Sequence, residues 1–242
     1  MRRQQLCGAV LAVVIGGTLV GCTDEIDDLL DSVDDAATQE QPGGTDSSQG
    51  AEQGSISDSV LPGLPSPEEA RTQLASLTVA EPGSMAGYGR ERFSHWSTVD
   101  GCSARQIVLQ RDGTNVVVDD SCQPESGEWY SPFDDVTLTD ASDVDIDHIV
   151  PLAEAWRSGA DAWDDERRKE FANDLTNPQL IAVSASSNRS KGDQHPGDWQ
   201  PIEAYWCEYG LAWTGTKHAY DLTVTEDEHE QLVEMLDTCP AP

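Results

Sequence analysis

Basic residues are scarce in this sequence. Its 242 residues include 14 Lys and Arg against 45 Asp and Glu, which gives a formal net charge of −31 at pH 7. Non-specific affinity for nucleic acid rests largely on basic side chains that displace counterions from the phosphates. The composition therefore excludes a protein that coats nucleic acid through a broad basic surface. A charge of this size also keeps a protein dispersed in its solvent.

Further absences narrow the class of fold. No two cysteines have the Cys-x-x-Cys spacing that is typical of structural zinc sites. No internal repeat is evident, and neither is a motif of a zinc finger or a recognition helix. The apolar run from Leu6 to Val20 is short for a bilayer span, which takes about 20 residues. We therefore expect neither a zinc-held fold nor a module that reads base sequence.

The N-terminus has the features of an export signal. Arg2 and Arg3 precede the apolar run, as in secretory signal peptides. The Leu-Val-Gly-Cys stretch that ends at Cys22 resembles the cleavage box of bacterial lipoproteins, in which the cysteine is lipidated and becomes the new N-terminus. We expect residues 1–22 to be a lipoprotein signal peptide, with lipidated Cys22 anchoring the mature protein to the membrane outside the cytoplasm. The alternative is an ordinary secretory peptide and a secreted protein.

An acidic, polar segment follows the signal. Residues 23–68 contain no Lys or Arg and are rich in Asp, Glu, Ser, Gly and Gln. Such a composition buries too little apolar surface to offset the entropy lost on ordering. We expect residues 23–68 to be a disordered acidic linker and residues 69–242 to form one folded domain. At the boundary, Ser66 and Glu69 flank a proline in a way that predicts a capping box at the start of a helix.

The folded part has the pattern of an α+β protein. Apolar runs at 107–110 and 115–118 flank an Asp-Gly turn signal, which predicts a β-hairpin in the N-terminal region. Helical spacing of apolar residues predicts two helices within 152–175 and a long helix after Asp198. A capping box at 225–228 predicts the start of the last helix. We therefore expect surrounding helices and a hairpin region about a central core.

The cysteines predict two disulfides. Cys102, Cys122, Cys207 and Cys239 remain once Cys7 and Cys22 are assigned to the signal peptide and the lipid anchor. Four cysteines in an exported chain favour two disulfides, which can be connected in three ways. The local pairing joins Cys102 to Cys122 and Cys207 to Cys239.

Residues 143–193 form the centre of the sequence. Valine and isoleucine favour an extended chain before Pro151, which predicts a strand that ends near His148. The apolar run 179–183 predicts a returning strand, and 184–191 a loop that enters a short helix. Adjacent side chains of a strand point to opposite faces, so Asp147 and His148 can share a site only if the chain bends there.

This stretch contains residues suited to phosphodiester chemistry. A histidine can deprotonate water, and a divalent ion can neutralise the charge that gathers on a phosphate. Asn188, near the helix, can face Asp147 across such an ion. Magnesium accepts oxygen ligands and keeps several waters, so one carboxylate, one amide carbonyl and a substrate phosphate form a sufficient set.

The Asp-His-Ile-Val-Pro motif at 147–151 and the Asn-Arg-Ser-Lys-Gly-Asp motif at 188–193 resemble HNH endonucleases. The likeness extends to the HNH domain of RNA-guided CRISPR nucleases. It is closer to the C-terminal HNH domain of GmrSD-type restriction enzymes, which also occurs as an exported single-domain protein. The resemblance covers roughly residues 69–242 and implies a ββα-metal (HNH, His-Me finger) core.

The resemblance also implies the roles of individual residues. Asp147 and Asn188 would be metal ligands, His148 the general base, and Asn177 the asparagine that braces the catalytic loop. The implied cofactor is one divalent ion, Mg²⁺, with Mn²⁺ as the alternative. The substrate is a nucleic acid, DNA or else RNA, which is cut with little sequence preference.

Four basic residues are candidates for contact with the substrate phosphate: Arg90, Arg92, Arg189 and Lys191. With Arg105 and the metal, they would form a local basic patch on an otherwise acidic chain. The alternative is structural: arginines that are partly solvated next to core aromatic residues, and a solvated Lys191 at a helix end. Asp145 is either a supporting carboxylate or part of an exposed acidic face.

Two functions follow from these patterns. The first is an exported, membrane-tethered, metal-dependent endonuclease. The second is a non-catalytic, surface-binding lipoprotein on an HNH scaffold. This function is possible because fold does not fix function, and the acidic composition favours it. Cutting that depends on a divalent ion distinguishes the first from the second.

Overall fold

The computed structural model describes residues 61–241. The predicted signal peptide, the lipidation site Cys22 and most of the predicted linker lie outside these residues. None of the helices within residues 61–241 has the length and apolarity of a membrane span.

Seven helices and seven strands follow one another in the described residues, with short 3₁₀ turns between them. The helices are α1 Pro67–Ser76, α2 Ala104–Asp112, α3 Leu152–Arg157, α4 Asp165–Ala172, α5 Ala185–Lys191, α6 Trp206–Ala219 and α7 Glu226–Asp237. The strands are β1 Thr98–Val99, β2 Cys102–Ser103, β3 Gly113–Val118, β4 Pro124–Ser131, β5 Val136–Leu138, β6 Val144–His148 and β7 Leu180–Ser184. They form antiparallel sheets β1-β2, β3-β4-β5 and β6-β7, so the fold is a mixed α+β one.

Local sequence signals correctly predicted the helix starts. Both capping boxes are present, Ser66 with Glu69 at α1 and Thr225 with Glu228 at α7. In each, the hydroxyl accepts from the backbone N–H three residues on, and the glutamate accepts from the cap's own N–H. The apolar stripe of α7 is buried at Leu232, Met235 and Leu236, whereas Val233 is 42% exposed.

Residues before the predicted boundary at residue 69 also pack against the folded domain. Leu61 is 6% exposed and belongs to the main apolar core, and Leu64 packs against that core. Pro65 contacts α6 near Gly215. The prediction assigns the 61–65 stretch to the acidic linker, whereas its leucines and Pro65 gain burial by packing on the domain.

The hairpin lies one element later in the chain than predicted, between β3 and β4. Residues 107–110 lie in α2 rather than in a strand, because Ser103 and Gln106 form a capping box and Ala104, Val108 and Leu109 bury one helical face. Short apolar runs fit a buried helix or a strand equally well, so periodicity alone misassigned this one. Strand β3 follows directly and pairs with β4 to make the hairpin that the structure contains.

The β6-β7 pair and α5 form a strand, strand, helix unit, as the sequence predicted. The register is regular from Val144↔Ser184 to His148↔Leu180. Ser184 ends β7 and caps α5, accepting from the N–H of Ser187. The outer edge of β7 is covered by α2 side chains: Asp112 accepts from the Ala182 N–H at 2.8 Å, and Arg111 donates to the Leu180 carbonyl. These contacts satisfy backbone groups that an open strand edge would leave unpaired.

Apolar clusters lie on both faces of this pair of strands. Val144, Ile146, Leu180 and Ala182 pack with α2 and Trp129. The alternate residues Ile181 and Val183 pack into the main core with side chains of α6 and α7. Successive side chains of β6 therefore enter two different surroundings.

Buried Lys217 of α6 joins three helices. Its Nζ donates to Glu154 of α3 at 3.0 Å, to Ser158 at 2.9 Å and to the Thr223 carbonyl at 2.8 Å. It also lies 3.0 Å from a carboxylate oxygen of Glu228 in α7. Two carboxylates and two neutral oxygens thus surround one ammonium group, which fixes α3 against the C-terminal helices.

Both cysteine pairs are joined as the local pairing anticipates. Cys102 is bonded to Cys122, and Cys207 to Cys239. The first disulfide ties the start of α2 to the β3-β4 turn, and the second ties α6 to the end of α7. Residues 152–175 contain α3 and α4, in agreement with the two predicted helices.

Candidate active site

A buried ion pair joins β6 to α5. Lys191 is fully buried, and its Nζ lies 2.9 and 3.1 Å from the two carboxylate oxygens of Asp147 and 2.8 Å from the His148 carbonyl oxygen. Burial raises the pKa of Asp147 to about 6, while the Lys191 ammonium opposes that rise. Burial likewise lowers the pKa of Lys191 from its usual value. Each charge is held in place because removing its partner would leave it buried and unpaired.

A second carboxylate lies beside this pair. Asp145 shares the strand face of Asp147, and its charge raises the pKa of Asp147 further. Asn188 lies one helical turn before Lys191 on α5, and its Nδ2 donates to Asp145 at 3.0 Å. The carboxylate that Asn188 contacts is therefore Asp145, whereas Asp147, the predicted ligand, is paired with Lys191.

These donors can be tested against a divalent ion. Within residues 61–241, no group of three or more His, Cys, Asp and Glu side chains is placed to hold a metal ion. Asp145 and Asn188 nevertheless suit Mg²⁺: two oxygens that share an octahedral ion are about 3 Å apart, and a half-turn of the amide exchanges its nitrogen for its oxygen. Asp147 suits the ion only if Lys191 gives up its contact. The chemistry of the donor set fits, with Asp145 and Asn188 as the freer pair.

His148 ends β6 and is 5% exposed. Its Nε2 lies 3.0 Å from the carbonyl oxygen of Ala172, the last residue of α4. A carbonyl can only accept, so Nε2 carries the proton and Nδ1 has the free lone pair. Burial lowers the pKa of His148 to about 3, so the ring is neutral at pH 7. The side chain is thus an oriented, neutral imidazole, which is the form that a general base requires.

The structure does not place the three predicted groups around one point. The regular ladder through His148↔Leu180 keeps strand alternation, so Asp147 and His148 make their side-chain contacts on opposite sides of β6. The bend that the prediction required is absent from this strand. The two side chains still share an electrostatic environment, because Arg90 and Lys191 both act on the pKa of His148 and of Asp147.

Residues 94–97, here the 94–97 segment, pack over His148. The Trp96 ring centroid lies 6.0 Å from that of the imidazole, and His95 packs on Trp96 at 5.4 Å. Trp96 has a φ of 63°, a left-handed conformation that is strained for a bulky residue. Asn173 holds the segment at both ends, accepting from the Ser97 N–H at 2.6 Å and donating to the Ser94 carbonyl at 2.7 Å. The end of α4 therefore fixes both His148 and the segment that covers it.

Asn177 lies in the loop before β7. Its backbone N–H and its Nδ2 donate to Asp174 at 3.0 and 2.7 Å, and Tyr220 donates to the same carboxylate at 2.8 Å. The hydrogen bonds of Asn177 and its neighbours lower the pKa of Asp174 against the effect of its burial. Gln179 ends this loop and makes two side-chain hydrogen bonds with the backbone of Val150, just after His148. The loop around Asn177 is thus tied to the chain that follows His148.

The predicted phosphate contacts separate into two groups. Lys191 is fully buried and paired with Asp147, so it cannot reach a phosphate as predicted. Arg92 lies over the Trp156 ring at 5.1 Å and donates to the Gly87 carbonyl. Arg90 and Arg189 are exposed. Arg92 is exposed as well, but of these four residues only Arg90 and Arg189 lack a side-chain hydrogen bond or ion pair within residues 61–241.

Sequence reasoning missed Asn173, Asp174 and Gln179. Their roles depend on partners more than 20 residues away, such as Ser97, Tyr220 and Val150. The one local signal is the polar Asn-Asp pair directly after α4, where side chains often bond to nearby backbone.

Comparison with known proteins agrees with these motifs. Residues 115–235, half of the chain, match the family described as the C-terminal domain of GmrSD restriction endonucleases, and the chain belongs to this family. The family indicates a nuclease-type function. A protein of Arthroderma benhamiae, described as an uncharacterized secreted protein, is 52% identical over 180 residues, which cover 74% of this chain and 88% of that protein. No solved structure matches the chain.

Proposed function

We propose that this protein is an exported, metal-dependent endonuclease of the HNH type, with His148 as its general base. The observation that carries the proposal is the hydrogen bond from Nε2 of His148 to the Ala172 carbonyl oxygen, in a chain of a restriction-endonuclease family. It leaves Nδ1 unprotonated, and a base oriented by a third group is a recurrent feature of hydrolytic sites. His148 would take a proton from the water that attacks the phosphorus.

The proposed cofactor is one Mg²⁺ or Mn²⁺ ion. Asn188 and the β6 carboxylates Asp145 and Asp147 would hold it, and Asp145 is the carboxylate that Asn188 already contacts. When bound, the ion would supply positive charge for the phosphate and the leaving oxygen. Asp147 can take part only in exchange for its ion pair with Lys191. Asn177 would brace the loop that ties β7 to the chain after His148.

Access to His148 sets a condition on this proposal. The ring is covered by the 94–97 segment, whose Trp96 is held in a strained conformation. We propose that this segment moves aside when substrate arrives, since backbone strain of this kind makes an alternative conformation less costly.

A cutting assay tests the proposal. Plasmid and single-stranded DNA are incubated with the wild-type protein in Mg²⁺, in Mn²⁺ and with a chelator. We expect cutting that needs the ion and falls about 10²–10⁴-fold in His148→Ala, the usual contribution of a general base. The matched control is His218→Ala, because His218 is an exposed histidine at the end of α6. Undiminished cutting by His148→Ala would show that another group is the base.

A second function is favoured by one observation. The chain has a net charge of −31 and its candidate base is 5% exposed, which suits a non-catalytic binding protein on the same scaffold. This function predicts no cutting under any divalent ion. It also predicts that His148→Ala retains partner binding.

Export is proposed from the signal-like N-terminus together with the secreted relative. The finer proposal is that Cys22 is lipidated and anchors the protein to the cell membrane. Cys22→Ser tests it: the wild-type protein is expected in the membrane fraction and the variant in the medium. Equal release of both proteins would favour a secreted form without a lipid anchor.

A further inference from the structure

Nearly all basic side chains of the described residues are committed to partners in the protein. All 14 Lys and Arg except Arg2 and Arg3 lie within residues 61–241. Of these, all but Arg90 and Arg189 form a side-chain hydrogen bond or an ion pair with another described residue. The committed ones are Arg71, Arg92, Arg105, Arg111, Arg157, Arg167, Arg168, Lys169, Lys191 and Lys217.

Arg105 and Lys191, two residues of the predicted basic patch, have strong contacts within the protein. Arg105 donates to the carbonyl oxygens of Ala141 and Val144 at 3.2 and 2.9 Å. Lys191 is buried against Asp147. Binding a phosphate with either residue would break a contact on which β6 depends.

The two remaining arginines lie on segments next to residues of the candidate active site. Arg90 is exposed in the 3₁₀ turn Arg90–Arg92, which directly precedes the stretch that packs Trp96 over His148. Arg189 is exposed on α5 directly after Asn188, the residue that contacts Asp145. Two exposed guanidinium groups without side-chain partners among residues 61–241 thus belong to segments that also carry residues of the candidate site.

The acidic remainder of the surface would repel a long polyanion. Helix α7 begins with the exposed carboxylates Glu226 and Asp227, and α4 begins with Asp165 and Glu166, which are exposed and already neutralise Arg168 and Lys169. A duplex that extended beyond the two arginines would find no further Lys or Arg among residues 61–241 that is free of a protein partner. Each added nucleotide would then gain little, because affinity for nucleic acid grows with the number of phosphates that are neutralised.

Resting on the proposed function, we infer that the substrate is held through two phosphate contacts only, made by Arg90 and Arg189. The substrate class is accordingly a short single-stranded segment of nucleic acid rather than the face of a long duplex. Single strands suit this surface because their charge density is lower, which lessens repulsion by the acidic helices.

A binding experiment tests the footprint without depending on catalysis. Fluorescently labelled oligothymidylates of increasing length, and a duplex, are titrated with the full protein in a chelator over a range of NaCl concentrations. From about 6 to about 24 nucleotides, affinity is expected to rise less than about fivefold. The slope of log K against log salt is expected near −1.4, which corresponds to two phosphates on a single strand.

Variants of the two arginines test which residues produce the salt dependence of binding. Arg90→Ala and Arg189→Ala should each reduce its magnitude by about 0.7, and the double variant should leave almost no salt dependence. The matched control is Lys169→Ala, which removes a partly exposed cation that is paired with Glu166 at 3.9 Å. It should leave the slope unchanged.

Several results would overturn the inference. They are a slope of about −4 or steeper, an affinity that rises more than about 30-fold with length, and an unchanged slope in the double variant. Absence of binding, both in chelator and for His148→Ala with Mg²⁺, would overturn it too. The cutting assay is interpreted separately. A shallow salt slope without cutting would contradict the nuclease function. Cutting with a steep salt slope would contradict only the inference of two phosphate contacts.

Discussion

Two fully buried lysines hold this fold, and they differ in what surrounds them. Lys217 lies between Glu154 and Glu228 and also donates to Ser158 and to the Thr223 carbonyl. Lys191 has one carboxylate, Asp147, and the His148 carbonyl. The first ammonium is enclosed by acceptors that no substrate could reach.

The second lysine occupies the place where a cation is proposed to bind. Its carboxylate partner carries a metal ligand's sequence signature, and a further carboxylate and an amide lie beside it. Under the proposed function, Lys191 would occupy the place of a divalent ion, whereas Lys217 is purely structural. Metal ions should therefore distinguish the two regions.

The largest loss in the free energy of unfolding is expected from Lys217→Met. It leaves Glu154 and Glu228 buried without their cation, and removing one partner of a buried ion pair costs about 3–5 kcal/mol. The free energy of unfolding, measured in denaturant with the disulfides intact, should fall by at least this amount. Added Mg²⁺ or Mn²⁺ should restore nothing. Recovery of stability with metal would show that this region also holds a cation.

A somewhat smaller loss is expected from Lys191→Met. One carboxylate, Asp147, loses its partner, which costs about 3 kcal/mol in a chelator. Here millimolar Mn²⁺ should restore much of the loss, because a ligand that binds only the folded state stabilises it. The same titration on Lys191→Met combined with Asp147→Asn should show no restoration beyond that of the Asp147→Asn protein. Equal behaviour of the two lysine variants would remove the distinction between the regions.

The third prediction concerns His148, which should make the free energy of unfolding depend on pH by about 3 kcal/mol. The pKa of His148 is about 3 in the folded protein and near 6.5 when unfolded, so the unfolded state binds the proton more tightly. Stability from this group is full above about pH 6.5 and is lost as the pH falls towards 3. We therefore expect wild type to lose about 3 kcal/mol more than His148→Gln between pH 7 and pH 4 in a chelator.

The comparison with His148→Gln isolates this group. The pKa of Asp147 is raised to about 6, so its protonation works in the opposite direction, but it does so in both proteins. Parallel stability curves for the two proteins would mean that His148 is not held neutral by burial.

The smallest effect is expected from Asn173→Ala. This change removes hydrogen bonds to Ser94, Ser97 and the Lys169 carbonyl, at a cost of about 1–3 kcal/mol. Amide exchange of the 94–97 segment should accelerate about tenfold or more, while exchange in β3 and β4 should not change. An unchanged rate in the segment would mean that Asn173 is not what holds it over His148.

What the sequence could predict depended on how local the signal was. The capping boxes at Ser66 and Thr225 involve residues three positions apart, and both are correct. The strand, strand, helix order of β6, β7 and α5 is also correct, because two buried strands and a capped helix have distinct apolar patterns. Residues 107–110 were misassigned because their apolar run fits a helix or a strand.

The candidate site was less accessible to sequence reasoning. The motif named Asp147, His148 and Asn188, but it gave no information on which strand face each side chain uses. The burial of Lys191 and the contact of Asn188 with Asp145 arise from the packing of α5 on β6. Asn173 acts on a segment 76 positions earlier in the chain, which no local pattern encodes.

The most direct measurement is anomalous diffraction from crystals of the protein grown with Mn²⁺. The account predicts one ion with the Asn188 amide oxygen and a carboxylate oxygen of Asp145 or Asp147 as ligands, at about 2.1 Å. If Asp147 is a ligand, Lys191 should have moved away from it. An ion bound elsewhere, or no ion beside Asn188 in crystals soaked to saturation, would contradict the proposal of a metal-dependent nuclease at this site.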